Sequence, residues 1–392
     1  MVNKTGAQLL DSGERFSIAM WEYSYLLQRT GKQHEYADWD MVLDQVVERG
    51  YQCLRIDPFP HLLARGKDGQ TVDEFDDVMD FNHMWTRFEP LRYRPREGVV
   101  EFMTKCRERG IYVALSSWYR HDTTGRQRMV QSPADYARIW IETLDILAEA
   151  DLLDIVVYVD LCNEFPFHKW CIGPSEDIFD GKRYMKSAMG IGWTEQVVGR
   201  INRYFKESIG PIREAYPTLK YTFSSISHHG WNRIDHSALD CLDPHIWAAP
   251  RVPMFAFRSG FYRALLSRPR KNYGRHLARH IEKCMQLYPR YREKLHAALR
   301  SDINWWTDLG RERELPLVMT EGWATIIYED LFHAGALGEW EWFKEVAEVG
   351  VKHAVDCGWQ GICTSNFCQP HFEGMWTDVE WHQAMTHLIR NG

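Results

Sequence analysis

Short apolar runs alternate with longer amphipathic stretches along the whole chain. Eight of these runs have the length and the apolar or β-branched content of buried strands. Each leads into a loop and then, in all but one case, into a longer segment with apolar residues at helical spacing. The predicted strands are Phe16–Trp21, Leu54–Asp57, Ile111–Ser117, Ile155–Leu161, Tyr221–Ser225, Pro244–Trp247, Leu315–Thr320 and Gln360–Ser365.

The segments between the strands carry residues that begin and end helices. Ser132 and Pro133 are typical of an N-cap and a first turn, and Gly110 is typical of a helix end. Between strands five and six only a short helix is predicted, before Cys241. The longer predicted helices lie near Asp38–Arg49, Gly98–Arg109, Ser132–Ala150, Thr194–Ile209, Arg275–Leu309, Glu339–Cys357 and Val379–Arg390.

Eight strand–helix units without a linker predict one domain, residues 1–392, with the α/β fold of a (β/α)₈ TIM barrel. The residues beyond a minimal barrel lie in loops after strands two, four and six: Pro58–Arg96, Phe165–Trp193 and Ala248–Tyr273. These loops follow the carboxyl ends of strands, where barrel enzymes carry their active sites, so they predict a pocket. An open doubly wound sheet is disfavoured, because no glycine-rich first turn of the dinucleotide-binding type is found.

Composition narrows the classes of function. The 392 residues are 45% hydrophobic and carry a net charge of −7, which is typical of a globular protein and not of a disordered one. No apolar run is long enough for a membrane span, and no block of Lys and Arg suggests a nucleic-acid partner. The nine cysteines form no metal-like pairs, and the N-terminus has no apolar signal core, so we expect a cytoplasmic protein. Aromatic residues make up 14% of the chain, which fits either an aromatic core or a cleft that stacks sugar rings.

Two glutamates follow strands that face each other across the predicted barrel. Glu164 comes after strand four and Glu321 after strand seven, so both are expected to project over the barrel mouth. Glycoside hydrolysis needs two such carboxyl groups, one that donates a proton to the leaving oxygen and one that stays ionised. A lone glutamate at a strand end could instead form an ion pair with a nearby arginine, but two on these strands favour catalysis.

Asn163-Glu164 after strand four, together with Glu321 after strand seven, resembles the signature of the clan A glycoside hydrolases, in particular the cellulase-like relatives around family 5. The resemblance extends over about residues 16–390 and implies a retaining mechanism. It implies that Glu164 is the acid/base and Glu321 the nucleophile. Asn163 would then bond to the 2-hydroxyl of the sugar.

The same family resemblance extends to other strand ends. Arg55 in strand two resembles the arginine that orients the nucleophile and keeps it ionised. His245 matches the family's His-x-Tyr pattern at the end of strand six, but Trp247 replaces the tyrosine. Strand eight lacks the usual tryptophan at its end. Asn366 stands there instead, so Phe367 or Trp376 is expected to take the tryptophan's place.

Further residues near strand ends are expected to line the pocket. They are Trp21 and Glu22 after strand one, Trp118 after strand three and His228 after strand five. Each of them could equally belong to the core or the surface.

Two other function classes remain open. A metal-dependent barrel hydrolase usually has a His-x-His pair in its first strand, which this chain lacks, although His228, His229, His245 and Asp243 could still gather around a metal. A barrel of this kind could also bind sugar without cleaving it. We expect a glycosidase without metal or cofactor that acts from the end of a small carbohydrate. Neither a nucleic acid nor a membrane is expected as a partner, whereas a homo-oligomer is conceivable because barrels often pair.

Overall fold

Eight parallel strands form a closed ring in the computed structural model, which describes residues 4–30, 35–76, 91–120, 123–181, 190–267, 272–326 and 340–392. The strands are β1 Phe16–Glu22, β2 Cys53–Ile56, β3 Tyr112–Ser116, β4 Val156–Asp160, β5 Tyr221–Thr222, β6 Ile246–Trp247, β7 Val318–Met319 and β8 Gly361–Cys363. Seven of them make one sheet in the order β5-β4-β3-β2-β1-β8-β7. Parallel bridges from Ser225 to Pro244 and from Leu242 to Leu317 close the ring on either side of β6, which also pairs with the short strand Gly322–Trp323.

Within the described ranges, seven long helices surround the ring. Every residue of the eight strands is buried, which is typical of a parallel sheet covered on its outer face by helices. The (β/α)₈ prediction is therefore confirmed. The helices are α1 Trp39–Glu48, α2 Pro95–Glu108, α3 Pro133–Glu149, α4 Glu195–Ala215, α5 Tyr273–Arg313, α6 Glu341–Asp356 and α7 Val379–Asn391.

Local sequence explains where helices begin. The Ser132 hydroxyl accepts a hydrogen bond from the backbone N–H of Asp135, and the Asp135 carboxylate accepts one from the Ser132 N–H, so α3 starts with a capping box as predicted. The prediction of a short helix before Cys241 is wrong, because the segment between β5 and β6 forms only a 3₁₀ turn at Trp231–Arg233.

The long loops after β2, β4 and β6 contain short elements, although residues 77–90, 182–189 and 268–271 of these loops lie outside the described ranges. The loop after β2 has the helix Pro60–Leu63 and an antiparallel strand pair, Phe75–Asp76 with Arg92–Tyr93. The remaining short helices are Gly6–Asp11, Ser24–Leu27, Ile172–Ile178, Ala248–Arg251, Pro253–Ser259, Phe261–Ser267 and Glu373–Trp376, with 3₁₀ turns at Arg126–Met129 and Leu153–Ile155. Among the described residues, no helix has the length and hydropathy needed to cross a bilayer.

Candidate active site

The ends of β4 and β7 bring Glu164 and Glu321 together. One carboxylate oxygen of each glutamate and a ring nitrogen of His245 all lie within 4.8 Å of one another. Glu164 has a left-handed backbone (φ 50°), and its N–H donates to the Ser224 hydroxyl at 2.9 Å. The two glutamates are only 2% and 3% exposed, so their charges are largely shielded from water.

Arg55 connects Glu321, which follows β7, to Asn163, which follows β4. One terminal nitrogen donates to Glu321 Oε1 at 2.7 Å. The other donates to Asn163 Oδ1 at 2.8 Å, to the Ser116 hydroxyl at 2.9 Å and to Asp160 Oδ2 at 3.1 Å. Because the guanidinium is fully buried, these bonds fix the Glu321 carboxylate against β2, β3 and β4. The structure thus brings Arg55, Asn163 and Glu321 together in one hydrogen-bonded group.

His245 lies between the two carboxyl groups. Its Nδ1 is 3.2 Å from Glu164 Oε1 and 3.5 Å from Glu321 Oε2, and its Nε2 is 3.3 Å from the Thr320 hydroxyl. Burial lowers the pKa of His245, which favours the neutral ring. A neutral imidazole can donate one hydrogen bond to one carboxylate without adding a permanent charge to the site.

The two carboxyl groups differ in their electrostatic support. Burial raises the pKa of Glu164 to about 6, although the Trp170 indole N–H, which donates to Oε2 at 3.1 Å, opposes that shift. Burial also raises the pKa of Glu321, but His245 and the directly bonded Arg55 guanidinium oppose it. Contact with the buried cation makes Glu321 the better site for a negative charge, so Glu164 is the better site for a proton.

A layer of polar residues lies beneath the site, and of its members the sequence pointed only to Asp243, as a possible metal ligand. Asp160 accepts the Ser224 backbone N–H at 2.9 Å, and Asp243 accepts the Thr320 backbone N–H at 3.1 Å. An acidic residue within an apolar strand, as in Val159-Asp160-Leu161, was the available signal for Asp160. Trp170 lies in an irregular loop and has no comparable signal in the sequence.

Four other predicted residues lie near the cluster. The Arg55 guanidinium is 4.5 Å from the centre of the Trp118 ring. Glu22 ends β1 and is fully buried, and the Glu321 charge adds to the burial that raises its pKa. Trp247 ends β6, two residues after His245. Asn366 follows β8, and its backbone N–H donates to the carbonyl of Gly322, the residue after Glu321.

Trp21 and Trp376 do not line the site. They pack on each other with ring centres 6.0 Å apart, and Trp21 also packs against Phe102 of α2. The Trp376 indole donates to Gln45 of α1 at 2.8 Å. Both rings thus lie between the barrel and its outer helices, which corrects their expected contact with sugar.

Phe367 packs in the core, and His228 pairs with an acidic residue of α5. The Phe367 ring is fully buried and packs against Phe343 of α6 with ring centres 5.2 Å apart, so it is not the exposed floor of a sugar subsite. His228 Nδ1 is 3.1 Å from Asp302 Oδ1 of α5. The alternative metal site formed by His228, His229, His245 and Asp243 is therefore not found among the described residues.

The chain is similar to known proteins in both sequence and fold. A family model described as sugar-binding cellulase-like matches residues 18–390. The structure of a candidate glycoside hydrolase from Parabacteroides distasonis has a TM-score of 0.81 and 30% identity, with 96% of this chain and 94% of that chain covered. No match was found among curated protein sequences.

More distant structures share the fold alone. ZgEngAGH5_4 in complex with cellotriose has a TM-score of 0.52 and 13% identity, with 98% of each chain covered. The endo-β-1,4-mannanase from Thermotoga petrophila has a TM-score of 0.50 and 12% identity, with 98% of this chain and 78% of that chain covered.

Proposed function

The chain belongs to the sugar-binding cellulase-like family, and on that premise we propose that it is a retaining glycoside hydrolase that cleaves a β-linked glycoside. Glu164 is the proposed acid/base and Glu321 the proposed nucleophile. The observation that carries the proposal is the pair of buried carboxyl groups, with oxygens within 4.8 Å of each other and only one of them bonded to Arg55. Retaining enzymes hold their carboxyl groups about 5–5.5 Å apart, whereas inverting enzymes leave about 6.5–9.5 Å for a water molecule.

In the first step the Glu321 carboxylate attacks the anomeric carbon while Glu164 gives its proton to the leaving oxygen. The carbon–oxygen bond to the leaving group breaks, and a covalent glycosyl-enzyme forms on Glu321. In the second step Glu164, now ionised, removes a proton from water, which attacks the anomeric carbon and releases Glu321. Asn163, held by Arg55, is in place to bond to the sugar 2-hydroxyl.

The test is hydrolysis of a panel of aryl β-glycosides by the wild type, Glu164→Ala and Glu321→Ala, each with and without azide. We expect both variants to lose at least ~100-fold in kcat/KM. Azide should rescue Glu321→Ala as the α-glycosyl azide and Glu164→Ala as the β-glycosyl azide, because it attacks opposite faces of the anomeric carbon.

Glu312→Ala is the control, because Glu312 is exposed on α5 and should leave activity unchanged. Full activity in both active-site variants would exclude the proposed roles. Sugar binding without any turnover by the wild type would instead indicate a binding protein.

A metal-dependent hydrolase is the second candidate function. Glu164, His245 and Glu321 offer two carboxylate oxygens and one ring nitrogen within 4.8 Å, and such donors suit Zn²⁺ or Mn²⁺. The Arg55 guanidinium 2.7 Å from Glu321 disfavours a second cation there by charge repulsion. Loss of hydrolysis on dialysis against EDTA, restored by added metal, would favour this candidate over the retaining mechanism.

A further inference from the structure

In the part of the chain that the structure describes, several buried polar atoms at the ends of strands close to β7 lack hydrogen-bond partners. By contrast, Asp160 and Asn163 are bonded to Arg55. Among the described residues, Arg55 Nε and atoms of three further side chains near Glu321 are buried without a partner at normal hydrogen-bond distance. The atoms of these three side chains are both carboxyl oxygens of Glu22, both amide atoms of Asn366 and the indole nitrogen of Trp247.

The three side chains come from strands on either side of Glu321. Glu22 ends β1, whose neighbours in the sheet are β2 and β8. Both Glu321 and Arg55 influence the pKa of Glu22, so its carboxyl group is within electrostatic reach of the site. Trp247 follows His245 by two residues, and residues two apart on a strand share a face.

Protein interiors seldom leave such groups unbonded. Most buried polar atoms have a hydrogen-bond partner, and an unbonded carboxyl group is among the most unfavourable to bury. In a ligand site, the missing partners are supplied by the ligand. A sugar ring has neighbouring hydroxyls that can meet both oxygens of one carboxyl group, while amide and indole groups bond to further hydroxyls.

We propose, building on the glycosidase function above, that Glu22 binds two neighbouring hydroxyls of the sugar next to Glu321, and that this sugar is the unsubstituted terminal residue of the substrate. Asn366 and Trp247 bond to its remaining hydroxyls. Glu22 thereby determines specificity, and the enzyme releases single sugars from chain ends.

The residues around Glu22 support the proposal that the bound sugar is the terminal residue of the substrate. A side-chain hydrogen bond from Gln369, longer than a normal one, opposes the rise in the pKa of Glu22. The Gln369 carbonyl oxygen accepts a hydrogen bond from the Tyr36 hydroxyl at 3.2 Å. Glu22, Tyr36 and Gln369 are all fully buried. A sugar chain that continued from the hydroxyls bound to Glu22 would therefore meet protein, so the proposal excludes substrates extended at that point.

The test pairs Glu22→Ala and Glu22→Gln with aryl β-glycosides that lack one ring hydroxyl each. In the wild type, removal of a hydroxyl bound by Glu22 should lower kcat/KM by about 10- to 100-fold, because a hydrogen bond to a charged or polar site is lost. In Glu22→Ala the parent glycoside and that deoxy analogue should react at nearly equal rates, and Glu22→Gln should restore part of the difference.

Asp57→Asn is the matched control. Asp57 is also a buried carboxyl group, but its oxygens accept the backbone N–H groups of Phe59 and Trp118. A purely structural loss should lower the rates of the parent and the deoxy analogue alike. The inference fails if Glu22→Ala keeps the wild-type penalty for every deoxy analogue, or if the enzyme cleaves internal bonds of an oligosaccharide.

Calorimetric titration with deoxynojirimycin and its galacto and manno isomers separates this inference from the proposed function. If no glycoside is hydrolysed but an iminosugar binds and Glu22→Ala abolishes binding, the hydrolase proposal fails and the role of Glu22 stands. If glycosides are hydrolysed while Glu22→Ala changes neither kcat/KM nor iminosugar binding, the hydrolase stands and the role of Glu22 fails. If the wild type neither hydrolyses a glycoside nor binds an iminosugar, both fail.

Discussion

At the scale of single residues, the proton on Glu164 depends on one loop tryptophan. The Trp170 indole N–H donates to Glu164 Oε2 at 3.1 Å and stabilises the ionised carboxylate, which limits the rise in pKa caused by burial. Trp170→Phe should therefore raise the pKa of Glu164 above about 6. Because a general acid must be protonated, the alkaline limb of the kcat/KM profile should move to higher pH.

The control for this pH profile is Trp381→Phe. The Trp381 indole donates to Glu348 at 3.0 Å on the outer helices, so its loss should leave the profile unchanged. An alkaline limb that stays in place, or moves to lower pH, in Trp170→Phe would show that Glu164 does not set it.

Some site residues could be predicted from the sequence and others could not. Glu164, Glu321 and Arg55 were identifiable because a polar residue at the end of an apolar strand has a defined place in a barrel. Trp21 was misplaced because β1 is buried on both faces, so alternation of apolar and polar residues does not show which side chains point inward. Trp170 reaches the site only through an irregular loop, whose path depends on tertiary contacts.

At the scale of elements, two glycines in helices should respond oppositely to the same substitution. A Cβ on Gly6, in the helix Gly6–Asp11, would lie 2.3 Å from the carbonyl oxygen of Val156, and a strand backbone cannot easily move away. Gly6→Ala should therefore destabilise the fold by about 1–3 kcal/mol. Gly199 lies inside α4, and a Cβ added there would meet no atom within 4 Å, so Gly199→Ala should stabilise the fold by about 0.5–1 kcal/mol.

Urea denaturation of both variants and the wild type measures these changes. Neither glycine is near the carboxylate pair, so aryl-glycoside hydrolysis below the unfolding transition should match the wild type in Gly199→Ala. Equal stability of the two variants would mean that the N-terminal helix does not pack tightly against β4.

Element boundaries show a similar limit of sequence information. The beginning of α3 was predicted to the residue because Ser132 and Pro133 act locally. Strand five was predicted over Tyr221–Ser225 but is regular only over Tyr221–Thr222. Its continuation pairs through a single bridge at Ser225, and such pairing depends on the neighbouring strand and not on local composition.

At the scale of the whole molecule, buried titratable groups have opposite effects on stability as the pH changes. Burial raises the pKa of Asp57 to about 7, so the folded state holds a proton that the unfolded state releases above about pH 4. Stability from this group is fully present below that pH and falls as the pH rises towards 7. Burial lowers the pKa of His236 and His280 to about 4, so stability from these residues is lost as the pH falls below about 6.5.

These contributions to the unfolding free energy partly cancel between pH 4 and 7, so the contribution of Asp57 is measured by comparing the wild type with a variant that lacks its carboxyl group. Between pH 5 and 8 the wild type should lose about 2–3 kcal/mol more unfolding free energy than Asp57→Asn, which cannot titrate there. Urea denaturation at several pH values measures the difference. Asp308→Asn, at an exposed position on α5, should instead run parallel to the wild type. Parallel curves for Asp57→Asn would mean that Asp57 is already ionised in the folded protein at pH 5, and that its two backbone hydrogen bonds outweigh its burial.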